Sequence, residues 1–260
     1  MEQQMASLKK PRKTKHLLTA VLLFILFYAS SVNTKAYIED LISGLPNMQS
    51  ILVKMASPDW SYFEPIITPV LDTIRMAFIG TLLGAILSIP VAFLAANNLF
   101  SKWVTIPARF ILNIIRAIPE LLIAALFVAI FGMGMIPGIL AIAFFSMGII
   151  SKLLYESIET IDSGPLEAMT AVGSKKLVWI RFAVIPQVLA SFTSYVLYTF
   201  EINVRAAAIL GYVGAGGIGI NYERVMGFLE YQKLSTIVLA MFVVVVIIDW
   251  ISTKLRERLV

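Results

Sequence analysis

Glu167-Ala168-Met169-Thr170-Ala171-Val172-Gly173, followed after a short basic segment by Ile185-Pro186-Gln187, is a polar island between two long apolar runs. A break of this kind between membrane-length segments belongs at a membrane face, where it is available to a partner. Ser163 or Gly164 can cap a helix here, Pro165 suits the first helical position, and Glu167 falls in the first turn, where the helix dipole favours negative charge. Gly173 can stop that helix in a left-handed conformation. Ser174 can cap a second helix through about Ala183, and Pro186 opens the next apolar run. A short helix, a bend and another helix are expected. An ordinary amphipathic loop helix fits the same residues.

The composition around the island decides the class. Of 260 residues 59% are hydrophobic and only 14% charged, against about 25% charged in a soluble domain; the mean hydropathy is +0.86. This predicts an all-α membrane protein with about six transmembrane helices, each needing about 18 apolar residues or more. The spans fall at about His16–Ser31, Thr73–Ala96, Val104–Phe131 with an interruption at Pro119, Gly134–Leu154, Pro186–Leu210 and Leu234–Ser252.

Lysine and arginine are retained on the cytoplasmic side and so set the orientation. Lys9, Lys10, Arg12, Lys13 and Lys15 precede the first span and put the N terminus inside. Six crossings then place Lys102 and Arg109, Lys175, Lys176 and Arg181, and the tail residues Lys254, Arg256 and Arg258 in the cytoplasm as well. The first span is read as an uncleaved anchor, because Thr34-Lys35-Ala36 is a poor cleavage site for a secretory signal. The chain accordingly divides into a basic cytoplasmic N-terminus (1–15), an anchor (16–31), an external connector with an interfacial helix (32–72), a membrane core (73–252) containing the cytoplasmic loop 155–185, and a cytoplasmic tail (253–260). The aromatic group Trp60, Tyr62 and Phe63 in the connector suits headgroup depth. A contact surface for an external protein is the alternative.

Net charge of +5 requires no nucleic acid, since the basic residues cluster at cytoplasmic membrane edges and suit anionic lipid headgroups. With no cysteine there is neither a disulfide nor a cysteine-based metal site. The single histidine, His16, lies at a span edge, and no metal site is expected. Both the H-E-x-x-H zinc motif and the G-x-S-x-G nucleophile elbow are missing from the sequence, which disfavours an intramembrane enzyme.

Two further features stand out. Gly211-Tyr212-Val213-Gly214-Ala215-Gly216-Gly217-Ile218-Gly219 has five glycines in nine residues and cannot form an ordinary helix, at a cost of about 1 kcal/mol each relative to alanine. Irregular backbone near membrane depth is tolerated where it is buried in protein or lines a cavity, so an external gate or a flexible external loop is expected. It is no nucleotide-binding loop, because no lysine and serine or threonine follow the last glycine; ATP, if used, binds another chain. Ionic residues within or beside the spans are spaced as helical pairs: Asp72 with Arg75, Arg116 with Glu120, and Glu201 with Arg205. They either neutralise each other or leave Arg116 or Arg205 to meet an anionic solute.

The opening segment resembles the EAA loop of ABC importer permeases: E-A-A, three residues, G, then about nine residues and an I-x-L-P ending. Met169 replaces the second alanine and Val184-Ile185-Pro186 the ending, while the spacing is kept. Leu112-Asn113-Ile114-Ile115-Arg116-Ala117-Ile118-Pro119-Glu120, Tyr155-Glu156-Ser157-Ile158-Glu159-Thr160-Ile161-Asp162 and Glu201-Ile202-Asn203-Val204-Arg205 with its glycine-rich continuation resemble the permease of phosphonate-type ABC importers. Together these segments cover most of residues 70 to 252.

The resemblance implies a type I ABC importer permease-like fold and a transport subunit without catalysis of its own. It implies ATPase subunits that bind ATP and Mg, an external binding protein that captures phosphonate, phosphite or a related oxyanion, and a second permease chain forming a homodimer. Under it, Glu167, Ala168, Met169, Ala171, Gly173, Lys175 and Lys176 couple to the ATPase. Asn113, Arg116, Glu120, Glu201, Asn203, Arg205, Gly214, Gly216, Gly217 and Gly219 line a path or gate. This chain holds no cofactor. An ion-driven secondary transporter, which also uses broken helices and paired intramembrane charges, is the alternative.

Overall fold

The computed structural model describes residues 13–34 and 37–259, with side chains from His16 onward. Lys9, Lys10, Arg12, Lys35 and Ala36, on which the N-terminal orientation and the cleavage reading rest, lie outside the described residues. Residues up to Val53 and those from Lys54 form two separate compact units.

The first unit holds α1 (Lys13–Thr34) and most of α2 (Ile38–Met55). From His16 the apolar side chains of α1 are exposed around its circumference, as suits a helix surrounded by lipid. In α2, Ile38, Leu41, Ile42, Leu45 and Leu52 recur at helical spacing and remain exposed. Glu39 and Asp40 in the first turn and Lys54 in the last complement the helix dipole.

After the last residues of α2, the second unit has a short 3₁₀ turn, Trp60–Tyr62, capped by Asp59, that continues into α3 (Phe63–Ala95). α3 starts ten residues before the expected Thr73. Pro65 near its start is compatible with a helix N-terminus, and Thr73 Oγ1 donates to the carbonyl of Pro69 at 2.8 Å. α4 (Lys102–Ala117) and α5 (Glu120–Phe131) occupy the third expected span, and their axes are bent by 87° at Ile118-Pro119. This segment is therefore not one straight crossing. Proline removes a backbone donor and disfavours helical geometry in the residue before it, which breaks the helix there.

α6 (Met135–Glu159) is followed by α7 (Gly164–Ala171) and α8 (Lys176–Trp179). A π-helical turn, Ile180–Val184, joins α8 to α9 (Ile185–Leu210). Beyond a 3₁₀ turn, Gly211–Val213, come α10 (Gly219–Gly227) and α11 (Tyr231–Glu257). Five helices among the described residues are long and apolar enough to cross a membrane, or six counting α4–α5 as one broken span.

α3 and α6 form the tightest pair, for a reason readable in α3: Gly80 and Gly84 are four residues apart on its buried face. A Cβ on Gly80 would come within 2.6 Å of Ile142 Cγ2, and one on Gly84 within 2.6 Å of the Ala143 carbonyl oxygen. Small residues at this spacing let membrane helices approach closely. Around the pair, α5 and α9 add Ile123, Ala124, Val204 and Ala207 to a core with Met76, Ala77, Ala141 and Ile142. A second core at the α7 end unites Ala92, Leu99, Leu112, Leu154, Ile158, Val184 and Val188, and a third at the opposite end unites Ile66, Val70, Ile218, Val225 and Ile237.

Candidate functional site: an exposed helix pair and the charges behind it

The polar island folds as a helix, a reversal and a second helix. α7 ends in a Schellman arrangement: Gly173 N–H donates to Thr170 O at 2.9 Å and Ser174 N–H to Met169 O at 3.1 Å, with Gly173 at φ +74°. Pro165 occupies the first turn, and Ser163 Oγ donates to the Glu167 carboxylate at 2.9 Å. Two details differ from expectation. Lys175, in extended conformation, precedes the second helix in place of Ser174, and that helix does not stop near Ala183 but runs through the π turn into α9. Pro186 causes no break because it lies in the first turn of α9, where its missing N–H matters least.

The exposure of this pair is lopsided. Leu166 and Trp179 pack on the second core. Glu167, Ala168 and Ala171 face outward, as do Val172 at 75% and Leu177 at 81% exposure.

Its base is fixed by contacts to the rest of the chain. Gln187 accepts from Asp162 N–H at 3.0 Å and donates to Ala183 O at 2.7 Å, tying α7's approach to the π turn. Asp162 Oδ1 accepts from Gly164 N–H at 3.0 Å. Lys176 Nζ donates to Leu99 O and lies 3.8 Å from the centre of the Phe100 ring.

Close by, Glu159 at the end of α6 accepts from Arg109 and, at 2.6 Å, from Asn97 N–H. Arg109 also donates to Ala95 O at 2.8 Å and stacks 4.5 Å from the Tyr155 ring. Sequence reading missed this Arg109–Glu159 clasp, which joins residues 50 apart. The available signal was that the charge rule puts both Arg109 and the loop 155–185 containing Glu159 on the same side.

The residues expected along a path separate into three places. Asn113 and Arg116 are exposed on α4, and the Arg116 stem lies over Gly148 of α6. The expected Arg116–Glu120 pair does not form: the break at Ile118-Pro119 puts the two on helices of different direction, and helical spacing no longer brings them together. Glu120 Oε1 is buried without a hydrogen-bond partner.

Asn203 is fully buried, donating to Thr81 Oγ1 at 2.6 Å and Ser146 Oγ at 2.7 Å, so it ties α9 to α3 and α6. The expected Glu201–Arg205 pair forms at 2.6 Å, and Arg256 from α11 reaches the other carboxylate oxygen at 3.2 Å. Asp72 and Arg75 pair at 3.0 Å on an exposed face.

The glycine-rich segment closes over the opposite end of the bundle. Gly214, Gly216 and Gly217 have positive φ; Gly134 N–H donates to Gly214 O at 2.9 Å and Ile218 N–H to Thr73 Oγ1 at 2.8 Å. A Cβ on Gly217 would meet Thr73 Oγ1 at 2.7 Å, and one on Gly219 would clash with Gly211 at 2.6 Å. These approaches make the segment a packed plug rather than a loose loop.

Residues 88–260 match the family described as binding-protein-dependent transport system inner membrane component. The chain belongs to that family. A putative phosphite transport system permease protein of Stutzerimonas stutzeri, HtxC, is 36% identical over 258 residues, covering 98% of this chain and 92% of that protein. The phosphite transport system permease protein PtxC of the same organism is 36% identical, covering 84% of this chain and 80% of its own. Among solved structures, the inward-facing methionine transporter MetNI gives a TM-score of 0.68 at 20% identity over 78% of this chain and 99% of that one. An importer of the acidic polysaccharide alginate gives 0.61 at 17% identity over 94% and 99%.

The fold is that of type I ABC importer permeases. The permease is a multi-pass inner-membrane transport subunit of an ATP-driven importer rather than an enzyme or an ion-driven secondary transporter.

Proposed function

We propose that this permease forms the membrane path for phosphite, phosphonate or a related oxyanion delivered by an external binding protein, with two copies of the chain side by side. The similarity to phosphite permeases along nearly the whole chain carries the cargo assignment. ATP and Mg bind in the partner ATPase subunits, and both chain termini and the α7–α8 pair face the cytoplasm. Lys175, Lys176 and Arg181 flanking that pair support this orientation.

α7 and α8 dock on the ATPase through Glu167, Ala168, Met169, Ala171 and Gly173, flanked by Lys175 and Lys176. Their exposed face supports this reading: Val172 and Leu177 are large apolar side chains left uncovered on a polar loop. The clasp at Glu159 and the Gln187 bridge carry movement of the docked helices into α4, α6 and α9 as rigid bodies. Asn113, Arg116, Glu120, Glu201 and Arg205 face the path. Gly214, Gly216, Gly217 and Gly219 form the external gate, and Asn203 holds its walls together.

The test is reconstitution of the permease with its ATPase and binding protein, measuring which ligand stimulates ATP turnover and is taken up. Phosphite or methylphosphonate is expected to do both; stimulation by neither overturns the cargo assignment. Glu167→Lys and Gly173→Pro are expected to insert normally yet hydrolyse ATP without uptake. Normal transport by both rules out the docking role.

A further inference from the structure

Glu201 is the hub of a charged cluster that helical spacing on α9 alone does not reveal. Its carboxylate is 8% exposed and each oxygen takes a different arginine: Oε1 takes Arg205 of α9 at 2.6 Å, and Oε2 takes Arg256 of α11 at 3.2 Å. Two cations share one anion, leaving a net positive charge. Arg256 is held further by Thr253 Oγ1 at 3.2 Å and lies 5.9 Å from the Tyr198 ring, whereas the Arg205 side chain is 51% exposed.

The position of the cluster is informative. Glu201 is 16 residues into α9 from Ile185, about 24 Å at 1.5 Å per residue. Arg256 is one residue from the end of α11. The charged terminus of α11, with Lys254, Arg256, Glu257 and Arg258, therefore lies beside the interior of α9. With the chain terminus on the cytoplasmic side, such charges face the wet inner end of the path or another protein surface rather than hydrocarbon.

A guanidinium has five donors in a planar fork suited to two oxygens of a carboxylate or a phosphorus oxyanion. Arg205 meets Glu201 through Nη2 alone, and Arg256 spends Nη2 on Glu201 and Thr253 and Nε on the Ser252 carbonyl at 3.4 Å, which leaves the remaining Arg205 donors and Arg256 Nη1 for a second anion. We propose that Arg205 and Arg256 form an oxyanion-binding station at the cytoplasmic end of the path, with Glu201 as its permanent internal counter-ion. Glu201 occupies part of both forks and keeps the site weak, as transit requires: a passing ion must bind well enough to enter and poorly enough to leave. This inference rests on the proposed oxyanion cargo and adds Arg256 to the path.

The lipid phosphodiester shares this chemistry, so the test separates the two sources. The importer complex, purified in a maltoside detergent that carries no phosphate, is treated with the arginine reagent phenylglyoxal, and modification is followed by mass spectrometry. Inorganic phosphite is expected to slow modification of Arg205 and Arg256 several-fold, while phosphatidylglycerol leaves both unprotected. Arg75, 62% exposed and paired to Asp72 elsewhere, is the internal reference. Protection by the lipid alone, or of all three arginines equally, overturns the station.

In proteoliposomes, Arg205→Gln and Arg256→Gln are expected to lower phosphite uptake per ATP about tenfold, the scale of one lost charge-assisted hydrogen bond. Arg256→Lys is expected to recover part of that loss, and Arg75→Gln to match the wild type. If the wild type takes up neither phosphite nor methylphosphonate, the cargo assignment fails. If it takes up either and both glutamine variants retain its uptake per ATP, the station alone fails.

Discussion

Asn203 shows how one residue is read differently once its neighbours are known. Its position between Glu201 and Arg205 suggests a polar path lining, yet it is fully buried and donates to Thr81 and Ser146 on two other helices. Asn203→Ala removes both bonds and leaves two buried hydroxyls without that partner, at about 1–3 kcal/mol. The expected result is a lower unfolding temperature of the purified complex, with uptake per folded complex largely retained. Loss of uptake at an unchanged unfolding temperature would instead make Asn203 a cargo contact. Gly173 is the opposite case, since its role is carried by backbone geometry already legible in the sequence. At φ +74° and with nothing within 4 Å of an added Cβ, Gly173→Ala incurs only the left-handed penalty of about 1–2 kcal/mol. Asparagine tolerates that conformation better, so Gly173→Asn should retain more uptake per ATP than Gly173→Ala, and equal defects would contradict the Schellman reversal as the cause.

At the scale of elements, hydropathy and punctuation carry most of the information. Apolar runs locate the long helices, Pro119 the break, Gly173 the reversal and the glycine cluster the irregular segment, because each depends on local chemistry. What local chemistry omits is contact between distant elements. The Arg109–Glu159 clasp, Arg256 on Glu201, and the close pairing of α3 with α6 all need the topology first. The failed Arg116–Glu120 pair shows the converse: spacing of four residues implies a shared face only while the helix continues. The α3–α6 contact yields a prediction at this scale. Gly84→Val places side-chain atoms where a Cβ alone already falls within 2.6 Å of the Ala143 carbonyl. Backbone separation should cost about 1–3 kcal/mol, seen as reduced thermal stability. Gly44→Val, in α2 with nothing within 4 Å of the added Cβ, should lack that overpacking penalty. Equal loss in both would remove the α3–α6 contact as the cause, since helix propensity alone favours valine over glycine.

For the whole molecule, the decisive quantity is orientation, because docking of α7–α8 on an ATPase requires that end of the second unit to be cytoplasmic. The two ends differ chemically. One carries Lys102, Arg109, Lys175, Lys176 and Arg181; the other carries fewer cations, Lys54, Arg224 and Lys233, together with the glycine plug and the α10–α11 turn, where Phe228 is 74% exposed. The proposed orientation, which follows the larger number of lysines and arginines, has the first end inside. The chain has no cysteine, so Ala168→Cys and Phe228→Cys each provide a unique thiol at one end. In intact cells, a membrane-impermeant maleimide is expected to label Cys at position 228 from outside and to leave position 168 unlabelled until the membrane is opened. In inside-out vesicles the order should invert. Labelling of position 168 in intact cells would put the α7–α8 pair outside, where no ATPase can reach it, and the coupling assignment would fall regardless of cargo.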